Sequence, residues 1–354
     1  MQVPDANVER CLVPAPVRDF TSGDAGAWEA FVERHPGSTF FHRLGWRELM
    51  ESEFRHKTHY LVAKQGSHVA GILPLVETRS RLFGHALVSS PFCAHASALA
   101  DTPAIADALI DAAVDRARSL GVTHLELRSR IALRPEWPTQ DLYVNFSRAI
   151  LPTVDDNLLA VPRKQRAMVR KGIKNGLTST VDSDVDGFFE LYADNMHRHG
   201  TPPFARSYFR RLREVFGEAC EVLTVFDGGT PISGVLSFYF RDTVLPYYAG
   251  DRVQARERAA NDFKYWELMR RACERGLSVF DYGRSKRGSG SYDFKKNWGF
   301  ESSPLYYEYR LLKRETIPQN NPANPKYRAL IAVWRRMPIG LANAIGPHLV
   351  RGLG

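Results

Sequence analysis

The chain has 354 residues, 44% of them hydrophobic and 11% aromatic, enough to bury real cores and to favour two domains over one. Its 48 Lys and Arg against 39 Asp and Glu leave a net charge of +9, which favours anionic partners such as nucleotide phosphates, tRNA, acidic glycans or lipid surfaces. The amino-terminal stretch has no continuous apolar segment and no run of about 18 apolar residues occurs, so the expectation is a cytoplasmic globular protein rather than a secreted or membrane-spanning one.

In chain order, "YLVAKQGSHVAGILPLVETRSRLFGHALVSSPF" reads as two strands about a polar turn and then a third. "IADALIDAAVDRARSLGVTHLELRS" follows with a helical period ending at Gly121 and then a strand. Two prolines in "RIALRPEWPTQ" stop regular structure, "DLYVNFSRAIL" reads as a strand, and "TVDDNLLAVPRKQRAMVRKGIKNGL" reads as helices. The first plan then returns. "CEVLTVFDGGTPISGVLSFYFRDTVLPYYAGD" repeats the hairpin and third strand, and "FKYWELMRRACERGLSVFDYGRS" repeats the helix and strand. Gly234 stands for Gly71, Gly276 for Gly121 and Asp281 for Glu126. A duplicated α/β domain is expected, with a first domain over 1–150, a second over 151–318, and a linker and amphipathic tail over 319–354. In that tail "NNPANPK" precedes a stripe of Leu330, Val333, Trp334 and Met337 beside Arg335 and Arg336. Such a stripe can dock on the second domain or lie on an anionic membrane surface, which would put the protein at the inner face of the membrane.

Arg163, Arg166, Arg170 and Lys174 recur at helical spacing with no acid among them. The face is either a site for an anion or simply solvated. No G-x-S-x-G elbow, G-x-x-x-x-G-K-[ST] loop, H-E-x-x-H or helix-opening G-x-G-x-x-G is present. The cysteines, Cys11, Cys93, Cys220 and Cys273, lie far apart, and the histidine pairs have no ligand cluster around them, so no metal is expected.

One stretch concentrates chemistry: "DYGRSKRGSGSYDFKKNWGF", Asp281 to Phe300. "FDYGRS" and "GSGSYDFKKNWG", with "YYAG" at Tyr247 to Gly250 and the basic helix before "GLTSTVDSDVDGFFELYADNMHRHGTPPF", resemble the FemAB family of aminoacyltransferases and its acetyltransferase-like relatives. The resemblance runs from about Thr39 to Leu312 and is strongest to the branch found with PEP-CTERM and exosortase systems in exopolysaccharide loci. It implies two tandem domains of the Gcn5-related N-acyltransferase (GNAT) fold. It also implies an N-acyl or aminoacyl transferase forming an amide on an amine of a cell-envelope precursor, of peptidoglycan or exopolysaccharide type. The acceptor would be an anionic saccharide or nucleotide-sugar-type molecule. No tightly bound cofactor is implied, only an acyl donor as cosubstrate. "YYAGDRVQARERAAND" lacks the [QR]-x-x-G-x-[GA] loop that wraps CoA, and no heptad stretch suggests the helical hairpin of some tRNA-using members, so acyl-CoA and aminoacyl-tRNA both stay open.

The resemblance makes Lys295 the catalytic residue, an ammonium held toward the cleft between domains to neutralise a tetrahedral oxyanion or a leaving oxygen. Phe294 and Trp298 are expected to pin its helical turn in the core. Arg284, Tyr248, Tyr292 and the helix residues Arg163, Arg166 and Arg170 would bind substrate. Without the resemblance, Lys295 reads as a solvated lysine, Asp281 as a cap, and Tyr248 and Tyr292 as core aromatics. The chain would then be a non-catalytic basic module that binds an anionic glycan, nucleic acid or protein.

Overall fold

The computed structural model describes residues 16–80, 84–318 and 325–352; Cys11, residues 320–324 of the linker and the side chain of Leu330 lie outside what it describes. The first half begins with helices α1 (Ala25–Arg34) and α2 (Gly45–Ser52). Strands β1 (Leu61–Gln65), β2 (His68–Leu73), β3 (Leu75–Ser80) and β4 (Gly84–Ser89) follow, then α3 (Pro103–Leu120) and β5 (His124–Ser129). Local chemistry sets the limits of α3. The Thr102 side chain accepts from Ile105 N at 3.3 Å, Pro103 opens the first turn, and Gly121 closes the helix at φ +66°, which L-residues rarely adopt.

Strand β6 (Tyr143–Ala149) leads to the basic helix α4 (Arg163–Lys174), β7 (Thr178–Asp182), α5 (Asp186–His199) and α6 (Arg206–Phe216). The plan of the first half then recurs in β8 (Cys220–Asp227), β9 (Thr230–Phe240), β10 (Thr243–Asp251), α7 (Ala260–Glu274) and β11 (Val279–Lys286). Helix α8 (Gly290–Asn297), β12 (Glu301–Pro304), β13 (Tyr306–Leu311), α9 (Pro325–Arg336) and α10 (Ile339–Val350) complete the chain. The expected duplication is there, with one difference in the hairpin. In the first half Pro74, which has no N–H to donate, separates β2 from β3, so β1 and β2 join a four-stranded sheet and β3 to β5 a six-stranded one. Its counterpart β9 runs unbroken through a seven-stranded sheet ordered β7, β8, β9, β10, β11, β6, β12.

Sheet membership crosses the division drawn at residue 150. Strand β6 leaves the first half and pairs antiparallel with β11, while β13 returns from the second half and pairs antiparallel with β5. Each half therefore completes the other's sheet. Sequence periodicity marks a strand but not its partner, which is decided by long-range pairing. The halves also share one core, in which Trp28, Phe40, Trp46 and Met50 pack with Phe188, Phe209, Phe216 and Phe238. Phe40 stacks on Phe238 at 4.4 Å between ring centroids.

The matched glycines do not occupy equivalent places. A Cβ on Gly71 would meet Ile105 and Leu109 of α3, whereas one on Gly234 would meet Leu191 and Phe188 of α5, which is not the counterpart of α3. Each is small because a helix crosses it closely, but the helices differ.

Candidate active site

The two parallel strand pairs of the halves are short. β4 pairs with β5 over Ala86–Val88 and His124–Glu126, and β10 with β11 over only Thr243–Val244 and Val279–Phe280. Beyond those residues the strands diverge. In β10 the register shifts between Leu236 and Ser237 of its partner, leaving Tyr247 as the extra residue; in β11 Tyr282 is extra opposite Phe146 and Ser147, beside Gly283 at φ +72°. Bulges bend the strands that carry them and re-aim side chains. The gap opens into a cavity of about 730 Å³, a volume typical of small-molecule sites.

Lys295 lies in that cavity's wall, 8% exposed, on α8. The helix starts where the Ser289 side chain accepts from Tyr292 N, and Trp298 just beyond it is fully buried, donating its indole N–H to Asp262 at 2.9 Å. The aromatic anchor expected from the spacing is thus present. Lys295 Nζ donates to Gly283 O at 3.1 Å and to Arg284 O at 3.0 Å, so the bulge supplies both acceptors. The bulge itself is tied down by Asp281, which accepts from Gly283 N at 2.9 Å, from Asn145 at 2.9 Å and from Arg130 of the first half. Burial pulls the pKa of Lys295 down to about 7; Asp281 opposes that shift and Arg284 adds to it.

Arg284 also lines the cavity, donating to the Tyr307 hydroxyl at 2.7 Å and lying 4.7 Å over the Tyr143 ring. Among the described residues it has no carboxylate partner. The opposite wall comes from the first half's sheet: Glu126 and Arg128 of β5, paired at 2.6 Å, with Tyr307 and Tyr309 of the returning β13. Tyr248 is part of the lining and shares a 2.9 Å hydrogen bond with the Tyr208 hydroxyl.

Of the residues singled out from sequence, the fold brings Lys295, Arg284 and Tyr248 together. Tyr292 packs instead against Phe146, edge to face at 5.2 Å, and does not line the cavity. Arg163, Arg166 and Arg170 do not line it either. Helix α4 docks through Gln165, Val169 and Gly172, a Cβ on Gly172 meeting Phe263 of α7 at 2.8 Å, and this turns Arg163 and Arg170 to solvent while Arg166 donates to Leu159 O. Helical spacing showed that these arginines share a face; only packing shows which way the face turns. Glu126, Arg128, Tyr307 and Tyr309 were missed as site residues. The one available signal was the match of Glu126 to Asp281, for nothing local indicates that β13 returns to the first sheet.

The first half holds a second cavity, of about 530 Å³, lined by Arg128 and Ser129 at the end of β5 but by no residue of β4. Arg128 lines both cavities, and the second contains His95, Ser97 and Arg130 but no lysine. Among the described residues no group of three or more His, Cys, Asp or Glu is placed to hold a metal, and no helix is long and apolar enough to cross a membrane.

A family profile described as an acetyltransferase (GNAT) domain matches residues 163–296. The crystal structure of FemX has a TM-score of 0.65 to this fold at 15% identity, covering 89% of this chain and 100% of that one. The architecture is that of tandem GNAT-like domains. A C-terminal domain assigned to a lysylphosphatidylglycerol synthetase from Agrobacterium fabrum gives 0.59 at 14% identity, covering 89% and 96% of the two chains. A tandem GNAT protein from the clavulanic acid biosynthesis pathway gives 0.55 at 12% identity, covering 85% and 99%. No curated protein sequence matches the chain. At these identities the likeness is one of fold. The diverging strands β10 and β11 that border the cavity lie inside the segment that the GNAT profile matches.

Proposed function

We propose that the chain is an N-acyl or aminoacyl transferase that forms an amide on an amine of a cell-envelope or exopolysaccharide precursor, as a FemAB-type protein of the PEP-CTERM and exosortase branch that its sequence resembles. The observation that carries this reading is Lys295, buried in the wall of the cavity with a pKa of about 7, beside a cationic Arg284. The similarity to FemX and to a chain assigned to lysylphosphatidylglycerol synthetase supports an envelope role.

In the reaction a neutral amine nitrogen attacks the acyl carbonyl carbon, so an N–C bond forms and the carbonyl oxygen becomes an oxyanion. Collapse breaks the bond to the leaving oxygen of an aminoacyl-tRNA ester, or to the sulfur of an acyl-CoA. One proton must leave the amine and one must reach the leaving atom. A lysine with a pKa near 7 is divided between its two protonation states at neutral pH, so Lys295 can accept the first proton and return the second. This assigns it proton transfer in place of a permanently fixed charge, because burial weakens its hold on the proton. Arg284, charged at any working pH, suits the oxyanion or an anionic group of the donor or acceptor. Tyr248 is assigned to substrate orientation from the same wall. Arg163, Arg166 and Arg170, outside the cavity, are assigned to a phosphate-bearing portion of a donor that extends over α4, as tRNA would.

The test is a thermal-shift screen against acyl-CoA, aminoacyl-tRNA and nucleotide sugars, followed by single-turnover transfer with the donor and acceptor that shift. Stabilisation by a donor and an acceptor, with amide formed, is expected. Ligand binding with no amide formed by the wild type would assign the cavity to a binding module instead.

A further inference from the structure

The two final helices differ from what their sequence stripe suggests. Trp334 is buried and Val333 exposed, because α9 docks on α5: Arg335 donates to His199 O at 3.3 Å and His197 Nε2 to Met337 O at 2.8 Å. Helix α10 docks as well, burying Ala342, Gly346 and Val350, and a Cβ on Gly346 would meet Pro203 Cδ at 2.5 Å. What α10 leaves outside is apolar. Leu341, Ile345 and Leu349 follow one another at one-turn spacing, and with Ile339 and Val333 they are between 37% and 61% exposed. Single exposed apolar residues are ordinary, but Leu341, Ile345 and Leu349 lie in line along one face of α10, and Ile339 and Val333 are exposed on the same two helices.

The charge of this segment is one-sided. From Thr316 to the last residue the sequence has no Asp or Glu, and it carries Lys326, Arg328, Arg335, Arg336 and Arg351. Arg335 and Arg336 are exposed. An apolar helical face in a segment that carries cations and no acid complements an anionic bilayer surface, which accepts apolar side chains below the headgroups and cations at the phosphates. A second copy of this chain would bring the same cations and repel them.

The patch lies close to the cavity. Pro203, under Gly346, precedes Phe204, and Phe204 lines the cavity. On the other side Arg351 O accepts from His56 Nε2 at 3.0 Å, and Phe54 and His56 stack on Phe92, which also lines the cavity.

We propose that α10 and the end of α9 form a membrane-contact face that holds the chain on an anionic bilayer surface, one layer of packing from the Phe92 and Phe204 end of the cavity. Joined to the acyl-transfer reading, this makes the acceptor a lipid-linked molecule; the membrane contact itself does not depend on that reading.

The test uses the full chain, without donor or acceptor, and vesicles of phosphatidylglycerol with phosphatidylcholine or of phosphatidylcholine alone. The wild type is expected to sediment with the anionic vesicles and to be released by salt. Leu341→Asp combined with Ile345→Asp, both at exposed positions, should cut the partition about tenfold or more, and Arg336→Glu about fivefold. Equal partition of wild type and double variant overturns the proposal, as does wild type bound to neither vesicle. A wild-type dimer that the double variant dissolves also overturns it and assigns the face to a second copy. None of these outcomes bears on amide formation in solution, so failure here leaves the transfer reading to its own test.

Discussion

Each half contributes a cavity, and the two cavities are furnished differently. In the second half β11 runs on through a bulge into α8, which returns Lys295 to the opening. In the first half β5 is followed by the proline-containing stretch from Arg130 to Gln140, with no helix there, and its cavity holds His95 and Arg130. In both halves the segment that follows the last core strand lines the cavity, Arg130 to Leu133 in one and Lys295 of α8 in the other. Arg130 then reaches across to Asp281, so the first half supports the site whose lysine it lacks.

If chemistry resides in one half only, Lys295→Met should lower the rate of amide formation by roughly 10² to 10³ while leaving ligand-induced thermal shifts in place. His95→Gln in the other cavity should cost less than about tenfold. Single-turnover rates on both variants check this, and an equal loss in the two would abolish the distinction between halves. Glycines offer a structural version of the comparison. A Cβ at Gly250 would meet the backbone of Leu191 and Tyr192 at 2.4 Å, whereas one at Gly71 would meet side-chain methyls of Ile105 and Leu109 at 2.7 and 2.9 Å and no backbone. Gly250→Ala should destabilise by about 3 kcal/mol and Gly71→Ala by about 1 kcal/mol, measured by denaturant unfolding.

A smaller effect separates Lys295 from ordinary surface lysines. Its folded pKa of about 7 lies below the ordinary lysine value of 10.5, so between those values the unfolded chain holds a proton that the folded chain has released. Wild-type stability therefore gains from rising pH across that window, and the burial penalty is present in full below it. Stability curves of wild type and Lys295→Met should approach one another by about 1.4 kcal/mol per pH unit from pH 7 upward. A constant difference across the window would show that Lys295 is not desolvated. The smallest change is expected one residue on. Lys296 is exposed, and Lys296→Met should alter stability by less than about 0.5 kcal/mol and leave the rate unchanged.

Much of the frame was legible in the residues. The order of hairpin, helix and strand, repeated with caps at Gly121 and Gly276, follows from local propensity and turn chemistry, which act over a few residues and so leave their mark in a few residues. The placement of Lys295 beside aromatic anchors was readable for the same reason, since Phe294 and Trp298 lie within a turn of it. The exchange of β6 and β13 between halves was not, because strand pairing is settled by contacts far apart in sequence. Nor could spacing alone turn the arginines of α4 outward, bury Trp334 or leave Leu341 and Ile345 exposed: periodicity defines a helix's faces, but the neighbour against which one face packs chooses which of them meets solvent. Local residue patterns thus account for the elements and their repetition. Tertiary structure decided that Glu126, Arg128 and Tyr307 of one sheet meet Arg284 and Lys295 of the other, and the burial at that meeting brings a lysine's pKa to about 7.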